Sequence, residues 1–284
     1  MRNDHPTTSY FTMKHIDINH EQVPALGLGT FSLKGSTCQE AVADAIAIGY
    51  RHIDTAKMYE NESDVGIGIQ NSGIDRDELF ITTKIWYTDL VRSNVLNATT
   101  DSLRQLQTSY VNLLLIHWPS EEVPLNETLE ALMEVQRQGQ ARLIGVSNFP
   151  PAMLHEAFEL APVVCNQVEY HPYLGQGALI NIVREHNAML TAYSPLAQGA
   201  VQDAATLQAI GNNYGKTPSQ VALRWLVQQD NVAAIPRASS HEHRVSNFDI
   251  FDFSLTDEEM EQVHGLSRRE RLVNPHWAPV WDEA

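Results

Sequence analysis

Six apolar runs in this chain each finish on a polar residue able to do chemistry. Asp54 ends RHID, Lys84 ends LFITTK, His117 ends VNLLLIH, Asn148 follows RLIGVS, Gln167 ends VVCNQ and Tyr193 ends MLTAY. The first four are spaced by 30, 33 and 31 residues, about one strand–helix unit each. Singly, each has an ordinary structural role. An aspartate caps the next helix, a lysine pairs with it, and a histidine after an apolar strand hydrogen-bonds in the core. As a set they converge on one small volume.

Tyr59, five residues after Asp54, completes the set. A phenol with an ordinary pKa of about 10 is a poor proton donor at neutral pH, and a neighbouring ammonium lowers that value. Lys84 supplies the ammonium, Asp54 keeps it charged and oriented, and His117 is free to bond a substrate oxygen. Such a group protonates a developing alkoxide. It needs a hydride, which no side chain provides, so a nicotinamide cofactor is implied. Two rivals stand beside this reading. One is a barrel lyase with a Schiff base on Lys84; the other is a cofactor-binding protein without catalysis.

Positioning these residues takes a repeating scaffold. Strands are expected at 25–30, 51–54, 79–84, 111–117, 142–147, 163–167, 189–193 and 232–235, with helices at 36–48, 61–70, 93–108, 126–138, 151–159 and 175–186 between them. The stretch 204–229 reads as two helices broken at Gly215 and Pro218. Strict alternation means a parallel sheet, and eight units close into a (β/α)8 barrel of the TIM type, whose usual length is about 250 residues. An open doubly wound sheet would carry a glycine-rich first turn. Leu26–Thr30 follows that pattern only partly, and Gly66 and Gly68 sit inside a helical pattern, so both read as structural. Residues 13–21 alternate as part of a hairpin plugging the N-terminal end. The tail after Gly265, with Pro275, Trp277, Pro279 and Trp281, is expected to run irregularly over the surface to the catalytic mouth. Residues 1–14 read as a flexible extension and 15–284 as one domain.

The bulk numbers narrow the partners. The chain has 284 residues, 43% of them apolar, and a net charge of −16. That acidity argues against nucleic acid, which needs clustered cations. It leaves room for a phosphorylated cofactor, since a few local cations suffice. The longest apolar run is far short of a membrane span, and the N-terminus lacks a signal's apolar region. Cys38 and Cys165 make neither a disulfide framework nor a metal motif, so no metal is expected. With no heptad run, the expectation is a cytoplasmic monomer acting on a small-molecule carbonyl compound, away from membranes.

Longer motifs carry a family resemblance. GYRHIDTAKMYENE from Gly49 to Glu62, ITTK ending at Lys84, LIHWP from Leu115, GVSNF from Gly145, NQVEYHP from Asn166 and AYSPL from Ala192 resemble the aldo-keto reductases, over a stretch from about Val23 to the C-terminus. The ending from Arg271 to Asp282 resembles the bacterial 2,5-diketo-gluconate and methylglyoxal reductase branch. The resemblance implies reduction of small aldehydes or ketones with NADPH, NADH tolerance being left open. It implies a catalytic tetrad of Asp54, Tyr59, Lys84 and His117, with Tyr59 as proton donor. Ser147, Asn148 and Gln167 would hold the nicotinamide carboxamide, and Tyr193 would stack on its ring. Gly29, Thr30 and Asp54 would border the cofactor, while Ser194 and Leu196 would lie along the pyrophosphate. Phe31, Trp86 and Trp118 would wall the substrate pocket.

One segment departs from the family pattern of Pro-Lys-Ser/Thr, an arginine six residues after the lysine, then Glu-Asn. Here the ungapped alignment gives Pro236, Arg237, Ala238, Ser239, then His243, Ser246 and Asn247. Arg237 is still suited to clamp a 2′-phosphate bidentately. His243 replaces the adenine-stacking arginine, and Ser239 stands in for the hydroxyl lost at Ala238. Arg244 would leave a helix about 100° away. The expected NADPH preference is therefore narrower than that of an arginine-bearing relative.

Overall fold

The structure, a computed structural model, describes residues 13–281. Residues 1–12 of the expected extension lie outside the described residues. The first described elements are β1 (His15–Ile18) and β2 (Glu21–Pro24), an antiparallel hairpin. Its two-residue turn, Asn19-His20, has positive φ at both positions (48° and 70°), the twist that a tight hairpin requires. Ile16, Ile18 and Val23 face inward and are buried. The hairpin covers the strands' N-terminal ends. His52, which begins a strand, bonds the Pro24 carbonyl, Arg142 near another strand start reaches Glu21, and Lys14 donates to the Gln229 carbonyl.

Eight parallel strands follow, in consecutive order across one sheet. With their helices they run β3 (Leu28–Gly29), α1 (Gly35–Ile48), β4 (His52–Asp54), α2 (Glu62–Ser72), β5 (Phe80–Ile85), α3 (Arg92–Gln105), β6 (Val111–Ile116), α4 (Leu125–Arg137), β7 (Ala141–Ser147), α5 (Pro151–Leu160), β8 (Cys165–Glu169), α6 (Gly177–Glu185), β9 (Met189–Tyr193), α7 (Ala205–Tyr214), α8 (Pro218–Gln228) and β10 (Val232–Ala234). The sheet closes on itself. Leu26 bridges Ala234 in parallel, the Gly27 N–H donates to the Ala234 carbonyl, and the Gly29 N–H donates to the Pro236 carbonyl. The result is the expected (β/α)8 barrel. A Cβ on Gly29 would stand 2.6 Å from the Ile235 carbonyl oxygen, so closure requires glycine there.

Closure also explains a difference from the sequence reading. The expected strand over 25–30 pairs with β4 only at Leu28–Gly29, because residues 25–27 turn their bonds to β10. Gly66 and Gly68 are structural, as expected. Side chains there would strike backbone oxygens of Leu106 or Gln105 and of Gln39, which lie 2.7–2.9 Å from the Cβ positions. Two further helices follow β10: α9 (His241–Phe248), which carries His243 and Arg244 on the helix assumed for that segment, and α10 (Asp257–His264), which was not expected. The chain beyond is irregular, as foreseen. Cys38 and Cys165 are free, buried thiols. Among the described residues, no helix is long and apolar enough to cross a membrane.

Candidate functional site

Strand register brings the polar strand ends together. Asp54 of β4 pairs with Thr82 of β5, which places Lys84 two residues further along the same strand. The Lys84 Nζ donates to Asp54 Oδ1 at 2.5 Å and to the Thr55 carbonyl at 2.8 Å, and lies 3.5 Å from the Tyr59 hydroxyl. Both charged side chains are 1% exposed. A buried pair of this kind persists only when its remaining bonding positions are filled. Here the second carboxylate oxygen of Asp54 accepts the Gln167 amide at 2.7 Å.

Tyr59 ends a single 3-10 turn, Lys57–Tyr59, directly after β4. Asn61 fixes that turn, donating to the Thr30 and Leu33 carbonyls and accepting the Thr55 hydroxyl. Thr30 donates its hydroxyl and its N–H to the Asp54 carbonyl. His117 follows β6, where its N–H donates to the Ile85 carbonyl. Its ring stands edge-on to Tyr59 at 5.6 Å and to Trp86 at 5.1 Å between centroids. Its Nδ1 is buried without a partner.

The electrostatics correct one expectation. Lys84 does pull the Tyr59 pKa down, but burial pushes it up further, and Asp54 adds to the rise, so the phenol sits above its ordinary 10.0. It is held firmly as the proton-bearing form. Burial opposes the Lys84 ammonium too, yet Asp54 and Tyr59 together raise its pKa above 10.5. A lysine kept charged in this way lacks the lone pair that a Schiff base needs, which disfavours the lyase reading. Burial, assisted by Lys84, holds His117 well below 6.5, hence neutral.

Ser147, Asn148, Gln167 and Tyr193 form one network at the ends of β7, β8 and β9. The Ser147 hydroxyl donates to the Gln167 carbonyl at 2.7 Å. The Asn148 amide donates to the His117 carbonyl and to Ser147 Oγ, and its oxygen accepts the Tyr193 hydroxyl at 2.8 Å. Asn148 has φ 64°, a left-handed conformation that asparagine tolerates well, and Ser194 has φ 48°. The Gln167 amide nitrogen is committed to Asp54, which leaves its oxygen as an acceptor. Leu196 is half-buried beyond Ser194.

Aromatic side chains surround Tyr59 and His117. Phe31 packs edge-on against Tyr59 at 5.0 Å while staying 56% exposed. Trp118 is buried. The tail adds two walls absent from the expected set. Trp277 contacts Trp86 at 5.7 Å and stacks on Tyr87, and Trp281 approaches Trp118 at 6.3 Å. Their spacing among prolines was the available signal.

The segment from Pro236 to Asn247 runs from the end of β10 into α9. Arg237 is exposed and donates to Ser32 Oγ at 2.9 Å. Ala238 is buried and Ser239 exposed. Ser240 caps α9 by accepting the His243 N–H. The His243 side chain is exposed, while Asn247 is buried. Arg244 turns inward, donating to Asp44 Oδ2 at 2.7 Å and to the Ala238 carbonyl at 3.2 Å. It is therefore unavailable to replace the missing arginine.

The aldo/keto reductase family model matches residues 25–268. The chain is 42% identical over 258 residues to a glyoxal reductase of Bacillus subtilis, covering 89% of this chain and 92% of that one. It is 37% identical over 266 residues to the methylglyoxal reductase DkgB of Escherichia coli, covering 92% and 99%. A crystal structure provisionally described as a 2,5-diketo-D-gluconic acid reductase B superposes with a TM-score of 0.94 at 43% identity, covering 96% and 99%. On these similarities and the closed barrel, the chain belongs to the aldo/keto reductase family, a family of oxidoreductases.

Proposed function

We propose that this chain, as one barrel domain over residues 15–284, reduces small aldehydes and ketones with NADPH, and that Tyr59 delivers the proton. The observation that carries this is the buried line from Asp54 through Lys84 to the Tyr59 hydroxyl, with a neutral imidazole facing the same ring. Held by Ser147, Asn148, Gln167 and Tyr193, a reduced nicotinamide would supply the hydride that the carbonyl carbon needs. As charge develops on the carbonyl oxygen, the Tyr59 O–H transfers its proton there. The adjacent Lys84 ammonium stabilises the phenolate left behind, and Asp54 holds that ammonium in place. Neutral His117 donates one hydrogen bond to the same oxygen and fixes its direction. The aromatic walls exclude water.

The residues present fit a dinucleotide. Arg237, Ser239 and His243 offer exposed groups near the N-terminus of α9, where a 2′-phosphate is favoured. With their amide nitrogens committed, Asn148 and Gln167 would offer their oxygens to the carboxamide beside a half-buried Tyr193. Methylglyoxal is the favoured substrate class, because the similar proteins from B. subtilis and E. coli are described as glyoxal and methylglyoxal reductases.

Following NADPH oxidation at 340 nm with methylglyoxal and with 4-nitrobenzaldehyde tests the reading. Turnover with either substrate, and its absence without a carbonyl compound, is the expected result. No oxidation with these or other small aldehydes and ketones would overturn it.

A further inference from the structure

Glu169, at the end of β8, is fully buried and takes no part in the Asp54–Lys84–Tyr59 line. Its carboxylate is spent on the C-terminal tail. Oε1 accepts the Leu272 N–H at 2.7 Å and Oε2 accepts the Val273 N–H at 2.9 Å. His171 Nε2 lies 2.9 Å from Oε1. Burial alone would raise the carboxyl pKa, but His171 and the two backbone donors hold it below the ordinary carboxylate value. These are charge-assisted bonds, about twice as strong as neutral ones.

The neighbouring loop extends the same seam. The Tyr173 carbonyl accepts the N–H groups of Arg268 and Glu270, and Ser267 Oγ accepts the Gly175 N–H. Past the seam the tail folds back. The Arg271 guanidinium lies 3.6 Å from the Trp281 ring centroid, and the Trp281 indole donates to Asn274 at 2.9 Å. That fold delivers Trp277 to Trp86 and Trp281 to Trp118. Residues 267–281 have no helix or strand of their own, so side-chain acceptors such as Glu169 must fix their path.

We propose that Glu169 is a positioning residue for substrate selection: its buried carboxylate latches the tail to β8 and thereby sets where Trp277 and Trp281 stand over the carbonyl pocket. The inference rests on the strand-end cluster being the carbonyl site. A bulky aromatic aldehyde reaches the tail tryptophans and senses the latch. Methylglyoxal, seated at Tyr59 and His117, does not.

Two full-length variants test the latch from opposite sides. Glu169→Gln sets an amide N–H against a backbone N–H. Val273→Pro removes one of the N–H donors and changes only a tail residue. Both are expected to increase acrylamide quenching of tryptophan fluorescence. Both should raise KM for 4-nitrobenzaldehyde by about three- to tenfold, the scale of one or two lost aromatic contacts. Methylglyoxal kcat/KM and the NADPH dissociation constant should stay within about twofold, and the double variant should be no worse than the worse single one. Unchanged quenching and unchanged aromatic KM in Val273→Pro would overturn the proposal, even if Glu169→Gln fails to fold. An equal loss of kcat on both substrates would overturn it too. Quenching needs no turnover, so increased quenching in a protein without carbonyl reductase activity would indict the site and not the latch.

Discussion

The two ends of the proposed cofactor cleft are built in opposite ways. At the ends of β4, β5 and β6, Asp54 and Lys84 are buried, paired and hydrogen-bonded on every side that the structure defines, and Tyr59 and His117 pack around them. At the end of β10, Arg237, Ser239 and His243 stand on the surface, and the one cation with a rigid setting, Arg244, is turned to Asp44. Chemistry that depends on tuned protonation draws on burial, because desolvation raises the pKa of the Tyr59 phenol, while the close Asp54 carboxylate keeps Lys84 charged against the same desolvation. Discrimination of a terminal phosphate needs a few exposed donors, which substitution alters without disturbing the barrel.

The sharpest way to break this contrast is to open the buried pair. Lys84→Met leaves the Asp54 carboxylate buried without its cation. A loss of about 3–5 kcal/mol is expected, which for a chain of this size is roughly 5–8 °C in Tm. Asp54→Asn in the same chain should restore part of it. A single variant with unchanged Tm would mean that the pair is wetter than the structure shows.

At the other end, a substitution should cost no stability and change selectivity alone. His243→Arg should raise the ratio of NADPH to NADH affinity by about 5- to 30-fold, the effect of 1–2 kcal/mol from one charge-assisted contact. Dissociation constants for both cofactors, measured by fluorescence titration, check this. An unchanged ratio would remove His243 from the phosphate site and the ungapped alignment with it.

A smaller effect separates the ends by pH. His117 and His52 are both buried, burial being the main cause that holds their pKa values below 6.5. The unfolded chain takes up protons near 6.5 and the folded one resists, so the stability present above that value is lost as pH falls toward the folded pKa values. Tm should therefore decline between pH 7 and 5, and His117→Asn should flatten the slope. An identical slope would show that His117 protonates in place.

What could be read from the sequence follows the same division. Asp54, Lys84, His117 and Tyr193 were legible because each polar residue lies at or beside the end of an apolar strand, and the barrel order follows from the spacing; Gln167, read as a strand end, sits mid-strand because β8 runs on to Glu169. The direction of the Tyr59 shift was not, because the size of a burial effect depends on neighbours distant in the chain. Helix α9 has a mostly polar sequence, HEHRVSNF, with little apolar period to mark its bounds, so only a helix around His243 and Arg244 was assumed. Helix α10 did carry a signal, since Thr256 and Glu259 form a capping box. Glu169 lay inside a recognised motif, yet its two backbone donors, Leu272 and Val273, are more than a hundred residues away in a tail without regular structure. No spacing rule connects them.

The central claim is that Tyr59 carries the transferred proton from a buried, pre-formed site. Single-turnover NADPH oxidation by Tyr59→Phe, measured beside its NADPH dissociation constant, tests it most directly. The account predicts a hydride-transfer step slowed by about 10²–10⁴-fold, the worth of a lost general acid, with cofactor affinity and Tm close to those of the unmodified protein. A single-turnover rate within a few-fold of the unmodified protein would contradict it.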